Sequence, residues 1–519
     1  MNASPWASAS FEELLTAVHL LGEQVAALSA RVVEQDAVIA AQAARLAEQD
    51  ATITELTEKL AAATATSQTS SKPPSSDGYR KPPPAPTSRR TKTGRKPGGQ
   101  PGHGGTTLRQ VDEPDHVIEH RPAACSSCHA SLTGAPVVSL ARRQVADLPT
   151  DIRLEWTEHH LVTCECACGV RTTAGAADGV PPVAVGPVQY GPGVRAAATY
   201  LVAEHYLPVA RAAVVLTVLA GAPVSPGSVA AWTAAAGAVL GEPEGFLDSV
   251  AAQLRAADVL HADETGLRTA GALAWVHVAC TLAVVLLSVH TGPGRRGKTA
   301  IERAGVIDHL DERAVLVSDA WGPYLSYAVL HALCGAHLVR ELRAVVQAAP
   351  ACTTDTGSQS WAGKMLHYLE GLNAEVGHAR RLGADRLPQE VLARRVLTFE
   401  KILALGHEQN PAPPGGWPGA ARRPTAVNLL LRIERERDAY LRFAVDFAVP
   451  FTNNAAERDL RGVRLREKVS GCLRTVAGAE VFVAVRSYLL TAARQGRDSL
   501  AVLRELFQGR PWIPAITTG

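Results

Sequence analysis

Two short β-branched runs, each stopping at an acidic residue, constrain this chain more than any other feature. VLHADETG carries Asp263 and Glu264, and AVLVSDAWGPY carries Asp319. Each reads as a buried strand closed off by Gly or aromatic residues, with its end open to solvent. A carboxylate at such an end stands where sheet enzymes keep their ligands, although either aspartate alone would serve equally to cap a turn. A third acidic site, Glu457 in PFTNNAAERDLR, lies in a segment that reads as a helix with Asn453, Asn454, Glu457 and Arg461 on one face, because residues three and four apart are neighbours there. Arg458, Arg461, Arg464, Arg466 and Lys468 follow, which suits a phosphate-binding surface or an ordinary basic helix. Three carboxylates gathered in one place repel: a pair of unit charges about 4 Å apart costs roughly 4 kcal/mol at an effective dielectric near 20. Divalent cations remove that cost. Magnesium, a hard ion that takes oxygen ligands and keeps waters and substrate phosphates in its shell, suits the donor set.

A length of 519 residues implies about three or four domains, and 46% hydrophobic residues are ample for a sizeable core. The formal net charge is only +2, so a nucleic-acid role has to rest on local basic patches. The first residues carry Glu12 and Glu13 and no basic-then-apolar pattern, so no secretory signal is expected. The expectation is a cytoplasmic protein. The uncharged stretch from Ala272 to Val289 is long enough for a marginal membrane helix. It is Val-rich, contains His277, Cys280 and Thr281, and directly follows the Asp263 run. Two buried strands are therefore preferred, and no membrane association is expected.

Val18, Val25, Val32, Ile39, Leu46, Ile53 and Leu60 recur at every seventh position, with Leu21, Leu28 and Leu56 at the matching d positions. That is a coiled-coil seam, predicted over 1–65, and it points to a homo-oligomer; Gln35, Gln42 and Gln49 within it would select register or oligomer state. Residues 66–115 follow as a basic linker dense in Pro, Gly and Ser, with nothing in it to bury a core. Arg89, Arg90, Arg95 and Lys96 could lie in a narrow minor groove or serve only to keep the linker solvated. Five of the nine cysteines (Cys125, Cys128, Cys164, Cys166 and Cys168) cluster within 44 positions, against a secreted disulfide scaffold. CSSC and CECACG resemble the two knuckles of a zinc ribbon over 116–182, with Zn2+ held by Cys125, Cys128, Cys166 and Cys168 and with Cys164 as the alternative fourth ligand. The alternating spacing of the second knuckle departs from the usual Cys-x-x-Cys.

Residues 183–256 read as Ala-rich helices bounded by Pro and Gly, a packing domain with too few cations to claim base reading. A catalytic core is expected over 257–475. Asp263 ends its first strand, two strands span 272–290, KTAIERAGVIDHL forms a helix and AVLVSDA forms a fourth strand. The 137 residues between Asp319 and Glu457 exceed what one crossover needs and read as a helical insertion at about 338–440. A helical tail is expected over 476–519.

Taken in order, the coiled-coil start, SSKPPSSDG, GRKPGGQPGHGGTTL, the cysteine cluster, ADETG, SDAWGPY, CGAHLVREL, VPFTNNAAERDLR, EKVSGCLRT and RSYLLTAARQG resemble transposases of the insertion sequence 66 family. The resemblance covers nearly the whole chain. It implies a DDE-type recombinase whose α/β core is a ribonuclease-H-like mixed sheet with a helical insertion. Asp263, Asp319 and Glu457 would then hold two Mg2+ (or Mn2+) ions, a choice between Asp263 and Glu264 that spacing alone leaves open. The partner would be double-stranded DNA, met by the cysteine module and by Arg458, Arg461, Arg464 and Lys468. Cys334 and His337 in CGAH match a motif of the family, but a lone Cys-x-x-His on a helix is more often core packing, and neither is counted as catalytic. A non-catalytic DNA-binding protein and a nuclease that cuts without joining would share many of these features.

Overall fold

The computed structural model describes residues 10–64, 110–145, 153–165, 167–168, 170–175, 187–348, 360–417, 419–420 and 423–515. Its centre is a five-stranded mixed sheet. Strands β3 (Val259–Thr269), β4 (Ala272–Cys280) and β5 (Val285–His290) form an antiparallel meander. β6 (Val315–Ser318) pairs parallel to β3, and β7 (Leu330–Leu333) parallel to β6, giving the order β5-β4-β3-β6-β7. The β3–β4 turn is the two residues Ala270 and Gly271, both at positive φ (51° and 77°), the backbone twist that a tight hairpin requires. The apolar stretch from Ala272 is thus strand, turn and strand.

Asp263 lies inside β3 and not at its end, which differs from the expectation. The reason is register. Parallel pairing with β6 stops at His261↔Val317, whereas the antiparallel arm with β4 runs on to Thr269. Asp263 therefore stands two residues beyond the last parallel pair, as does Asp319 beyond Val317, and the two are level where β6 gives out. Helix α6 is also shorter than KTAIERAGVIDHL suggests. It spans Lys298–Ala304, stops at the left-handed Gly305 (φ 63°), and gives way to a single 3-10 turn at Ile307–His309.

Helices α2 (Pro192–Ala203), α3 (Val209–Ala220), α4 (Pro226–Leu240) and α5 (Phe246–Arg255) follow their sequence signals. Proline opens α2 and α4, the Ser225 side chain caps α4, and Gly221 ends α3 in the left-handed conformation. Phe246, Val250 and Leu254 of α5 share one core with Leu260, Ala262 and Leu316 of the sheet and with Tyr488 and Leu489 of α13 (Val476–Arg494). The segment expected as a tail therefore covers the sheet. Ser487 and Thr491 of α13 accept the Leu287 and Val285 N–H groups at 2.8 and 3.1 Å, standing in for the neighbour that the edge strand β5 lacks. Among the described residues α13 is the helix long and apolar enough to cross a membrane, and here that apolar length packs on the sheet. Helix α14 (Ser499–Phe507) adds Val502, Leu503 and Leu506 to the same core.

Between β7 and the last acidic site stand α7 (Gly335–Ala348), α8 (Trp361–Arg381), α9 (Gln389–Gln409), α10 (Thr425–Arg435) and α11 (Arg437–Val445). They bury a core of their own around Leu342, Trp361, Met365, Leu369, Phe399, Leu430 and Phe443. Helix α12 (Asn454–Ser470) then lies across the sheet, burying Ala456, Leu460 and Val463 against Val276, Val278 and Leu287. At the other end of the chain, α1 (Phe11–Thr64) is one helix of 54 residues. Val18, Leu21, Val25, Leu28, Val32, Ile39, Leu46 and Leu56 of the heptad seam are exposed.

Candidate active site

The first turn of α12 is pinned to the sheet by Asn453, and this fixes where Glu457 points. Asn453 is 1% exposed; its Nδ2 donates to the Ala262 carbonyl at 2.7 Å, so its Oδ1 is left to accept from His261 Nδ1 at 2.9 Å. Burial holds His261 below its ordinary pKa, against the Asn453 hydrogen bond. Asn453 thus faces the sheet and not the outward polar face that helical spacing gave it, while Asn454 and Arg461 are exposed. The anchor sits one residue from Asp263.

The turn from β7 into α7 meets the same point. Asn453 N–H donates to Cys334 Sγ at 3.2 Å, and Gly335 N–H donates to the Phe451 carbonyl at 2.8 Å. A Cβ at Gly335 would overlap the Phe451 ring. Gly335→Ala is accordingly expected to destabilise the chain by about 1 to 3 kcal/mol, read from the denaturant midpoint at unchanged m-value.

Asp263, Glu264 and Asp319 lie close enough to act on one another, and Glu457 acts on Asp263 from α12, although among the described residues no three of the four bring oxygens within 4.8 Å of one another. Burial pushes Asp263 well above the carboxylate range, and the charges of Glu264, Asp319 and Glu457 push it further. Burial, then the charge of Asp319, raises Glu264; burial raises Asp319, against a hydrogen bond from the Trp321 N–H at 3.0 Å. Glu264 is already engaged at both oxygens. Oε1 accepts from Arg296 Nη2 at 2.8 Å, and Oε2 accepts from the Tyr324 hydroxyl at 2.9 Å. Arg296 is itself clamped between the Trp275 and Trp321 rings, 4.1 and 4.6 Å from their centroids. Among the described residues Asp263 accepts only the Glu264 N–H, at 2.8 Å, so of the two neighbours it is the one with lone pairs to offer. Glu457 Oε1 is buried and has no hydrogen-bond partner among the described residues. His337 Nδ1 stands 3.7 Å from it and Arg340 Nη2 3.9 Å. Two half-buried aspartates with raised pKa values, and a carboxylate oxygen on α12 without a hydrogen bond among the described residues, are donors of the kind a hard divalent cation takes.

Groups with raised folded pKa values bind more protons in the folded chain than in the unfolded one. Their contribution is therefore present at low pH and is lost as pH rises from the ordinary aspartate value of 3.8 through the folded value. We expect Asp263→Asn to flatten this loss, and magnesium to raise the melting temperature of the wild type at neutral pH but not that of the variant. Thermal melts at several pH values, with and without the ion, read both.

The other site residues divide. Arg458, Arg461, Arg464 and Lys468 all lie on the exposed face of α12, but Arg464 Nε donates to Thr265 Oγ1 at 2.6 Å and so braces the helix against β3. Arg89, Arg90, Arg95, Lys96 and Cys166 lie outside the described residues. Cys125 and Cys128 share one turn, in which the backbone N–H groups of Cys128 and then Ser127 hold the Cys125 thiol below its ordinary pKa, a pair fit for zinc. Cys164 lies within β1 (Thr163–Glu165), which pairs with β2 (Arg171–Thr173), and Cys168 lies in the turn between the two strands. Among the described residues no three of these thiols come within 4.8 Å of one another, and Cys166, one of the four expected ligands, lies outside them. Sequence reasoning missed Arg296, Tyr324 and the inward role of Asn453. The tryptophans flanking the two acidic motifs were the available signal for Arg296.

Two family models match the chain. One, described as Transposase IS66 family, spans residues 187–481; the other, described as Family of unknown function (DUF6444), spans residues 12–109. No curated protein matches.

Proposed function

The chain belongs to the IS66 family of transposases, and from that premise we propose that it cuts the ends of a mobile DNA element and joins the freed 3′ hydroxyls to target DNA. Membership makes it a DNA-acting enzyme that uses divalent metal. The finer reading is that Asp263, Asp319 and Glu457 hold two magnesium ions on a ribonuclease-H-like sheet. The observation that carries it is the register of the sheet, which leaves Asp263 and Asp319 level where the β3–β6 pairing ends, with the start of α12, the helix of Glu457, tied to the Ala262 carbonyl next to Asp263; the raised pKa of Asp263 agrees with it. Bound there, two divalent ions supply activation of the attacking hydroxyl and charge stabilisation at the leaving oxygen. What the chain contributes is position. Asn453 and Arg464 fix α12, Arg296 and Tyr324 hold Glu264 aside, and the exposed Arg458, Arg461 and Lys468 offer charge to the DNA backbone beside Glu457.

The exposed heptad seam of α1 supports self-association through a coiled coil, which suits an enzyme that must hold two DNA ends. The turn of Cys125 and Cys128 supports a structural zinc in a DNA-binding module, with the basic linker adding contacts blind to sequence. Incubating the full chain with duplexes carrying the element's ends, with and without chelator, tests the proposal. Metal-dependent nicking followed by joined product is expected. Cutting without joining makes the chain a nuclease, and binding without cutting makes it a non-catalytic DNA-binding protein.

A further inference from the structure

Beside the aspartates, on the α7 side of Glu457, stands a second group of different chemistry. Cys334 Sγ, a ring nitrogen of His337 and a carboxylate oxygen of Glu457 lie within 4.8 Å of one another, the closest trio of metal-ligand atoms among the described residues. Backbone geometry makes the group. Gly335 lets the β7–α7 turn close on Phe451, which sets Cys334 and His337 against the first turn of α12. His337 Nδ1 and Glu457 Oε1 face each other at 3.7 Å, and each is buried with no hydrogen-bond partner among the described residues. The gap is too long for a hydrogen bond. It is slightly wider than the edge of a tetrahedral site, about 3.3 to 3.4 Å for ligands about 2.0 to 2.1 Å from zinc. Arg340 Nη2, 3.9 Å from the same oxygen, does not fill that lone pair either.

We propose that Cys334, His337 and Glu457 form a site for one borderline-soft divalent ion of the zinc class, with a fourth position left open. One sulfur, one imidazole nitrogen and one carboxylate oxygen select zinc or cobalt over magnesium, which takes oxygen ligands. A thiolate and a carboxylate balance the two charges of the ion, and the imidazole binds neutral. The Asn453 N–H donates to Cys334 Sγ at 3.2 Å, a hydrogen bond that a metal-bound thiolate keeps. The site rests on this trio alone. One consequence rests on the catalytic reading above: an ion held here takes Glu457 from the aspartates, so zinc opposes magnesium.

The test counts ions and needs no cleavage. The full chain, its Cys334→Ser variant and its His337→Gln variant are stripped with chelator, titrated with Co2+, and followed by thiolate-to-cobalt charge-transfer and d–d absorption. Each variant is expected to take up one equivalent less than the wild type, whatever the Cys125 region binds in all three. His337→Gln preserves size and hydrogen-bonding capacity should the buried serine disturb folding. Equal cobalt uptake by the wild type and either variant would overturn the proposal.

Discussion

Glu457→Gln is expected to abolish strand cleavage, by more than about 10³-fold, which exceeds the 10²–10³ attributable to one stabilising donor, while leaving the fold and DNA binding intact. The substitution keeps the shape of the side chain and removes one negative charge. It leaves α12 in place, because Asn453 and Arg464 tie that helix to Ala262, His261 and Thr265, and among the described residues Glu457 makes no hydrogen bond through Oε1. What it removes is the negative charge that the proposed site supplies from α12, which a neutral amide oxygen does not bring to a divalent ion. DNA affinity should stay level or rise, since one carboxylate fewer faces the phosphates next to Arg458 and Arg461. Cleavage of labelled ends in magnesium and gel-shift titration measure the two effects separately. Undiminished cleavage by the variant would remove Glu457 from the catalytic site.

The acidic residues were legible because carboxylates in Val- and Ala-rich runs stand out against their surroundings. Register was less so. Asp263 reads as the end of a strand, since the apolar run stops there, but the hairpin continues because Thr265 and Leu267 still face a core. Nothing in local pattern reveals that β6 ends two residues earlier on one side while β4 continues on the other. Asn453 shows the same limit. Helical spacing puts it beside Glu457, yet a residue at the helix start lies outside the regular face, and it turned inward to pair with a histidine 192 positions away in the chain. The role of Arg296 depends on two tryptophans on separate elements, and the Cys334–His337–Glu457 trio on a close approach that only a glycine permits. Such contacts are made by tertiary closure, and composition does not carry them.

Arg494→Met should cost roughly 3 to 5 kcal/mol of unfolding free energy at neutral pH, the usual penalty for removing one partner of a buried ion pair. Arg494 Nη2 meets Asp459 Oδ2 at 2.6 Å, with the two side chains 18% and 3% exposed. Arg494 Nη1 also donates to the Thr281 carbonyl, and to that of Val284 at 3.2 Å. One guanidinium thus ties α12, α13 and the β4–β5 turn together. Burial already raises the pKa of Asp459, and the Arg494 charge is the largest effect opposing it. Without that charge the folded value rises further, so the folded variant holds its proton more tightly than the unfolded chain does. Its stability then falls as pH rises from the ordinary 3.8 through the folded value. The deficit should accordingly be small in acid and largest at neutral pH, which urea titrations of both chains at several pH values can follow. Pairing the change with Asp459→Leu should recover most of the loss, because no charge is then left buried. A deficit under about 1 kcal/mol for the single variant would mean that the pair behaves like a solvated surface bridge. Because α12 carries Glu457, a chain loosened at Asp459 should also cleave less at temperatures where it remains folded.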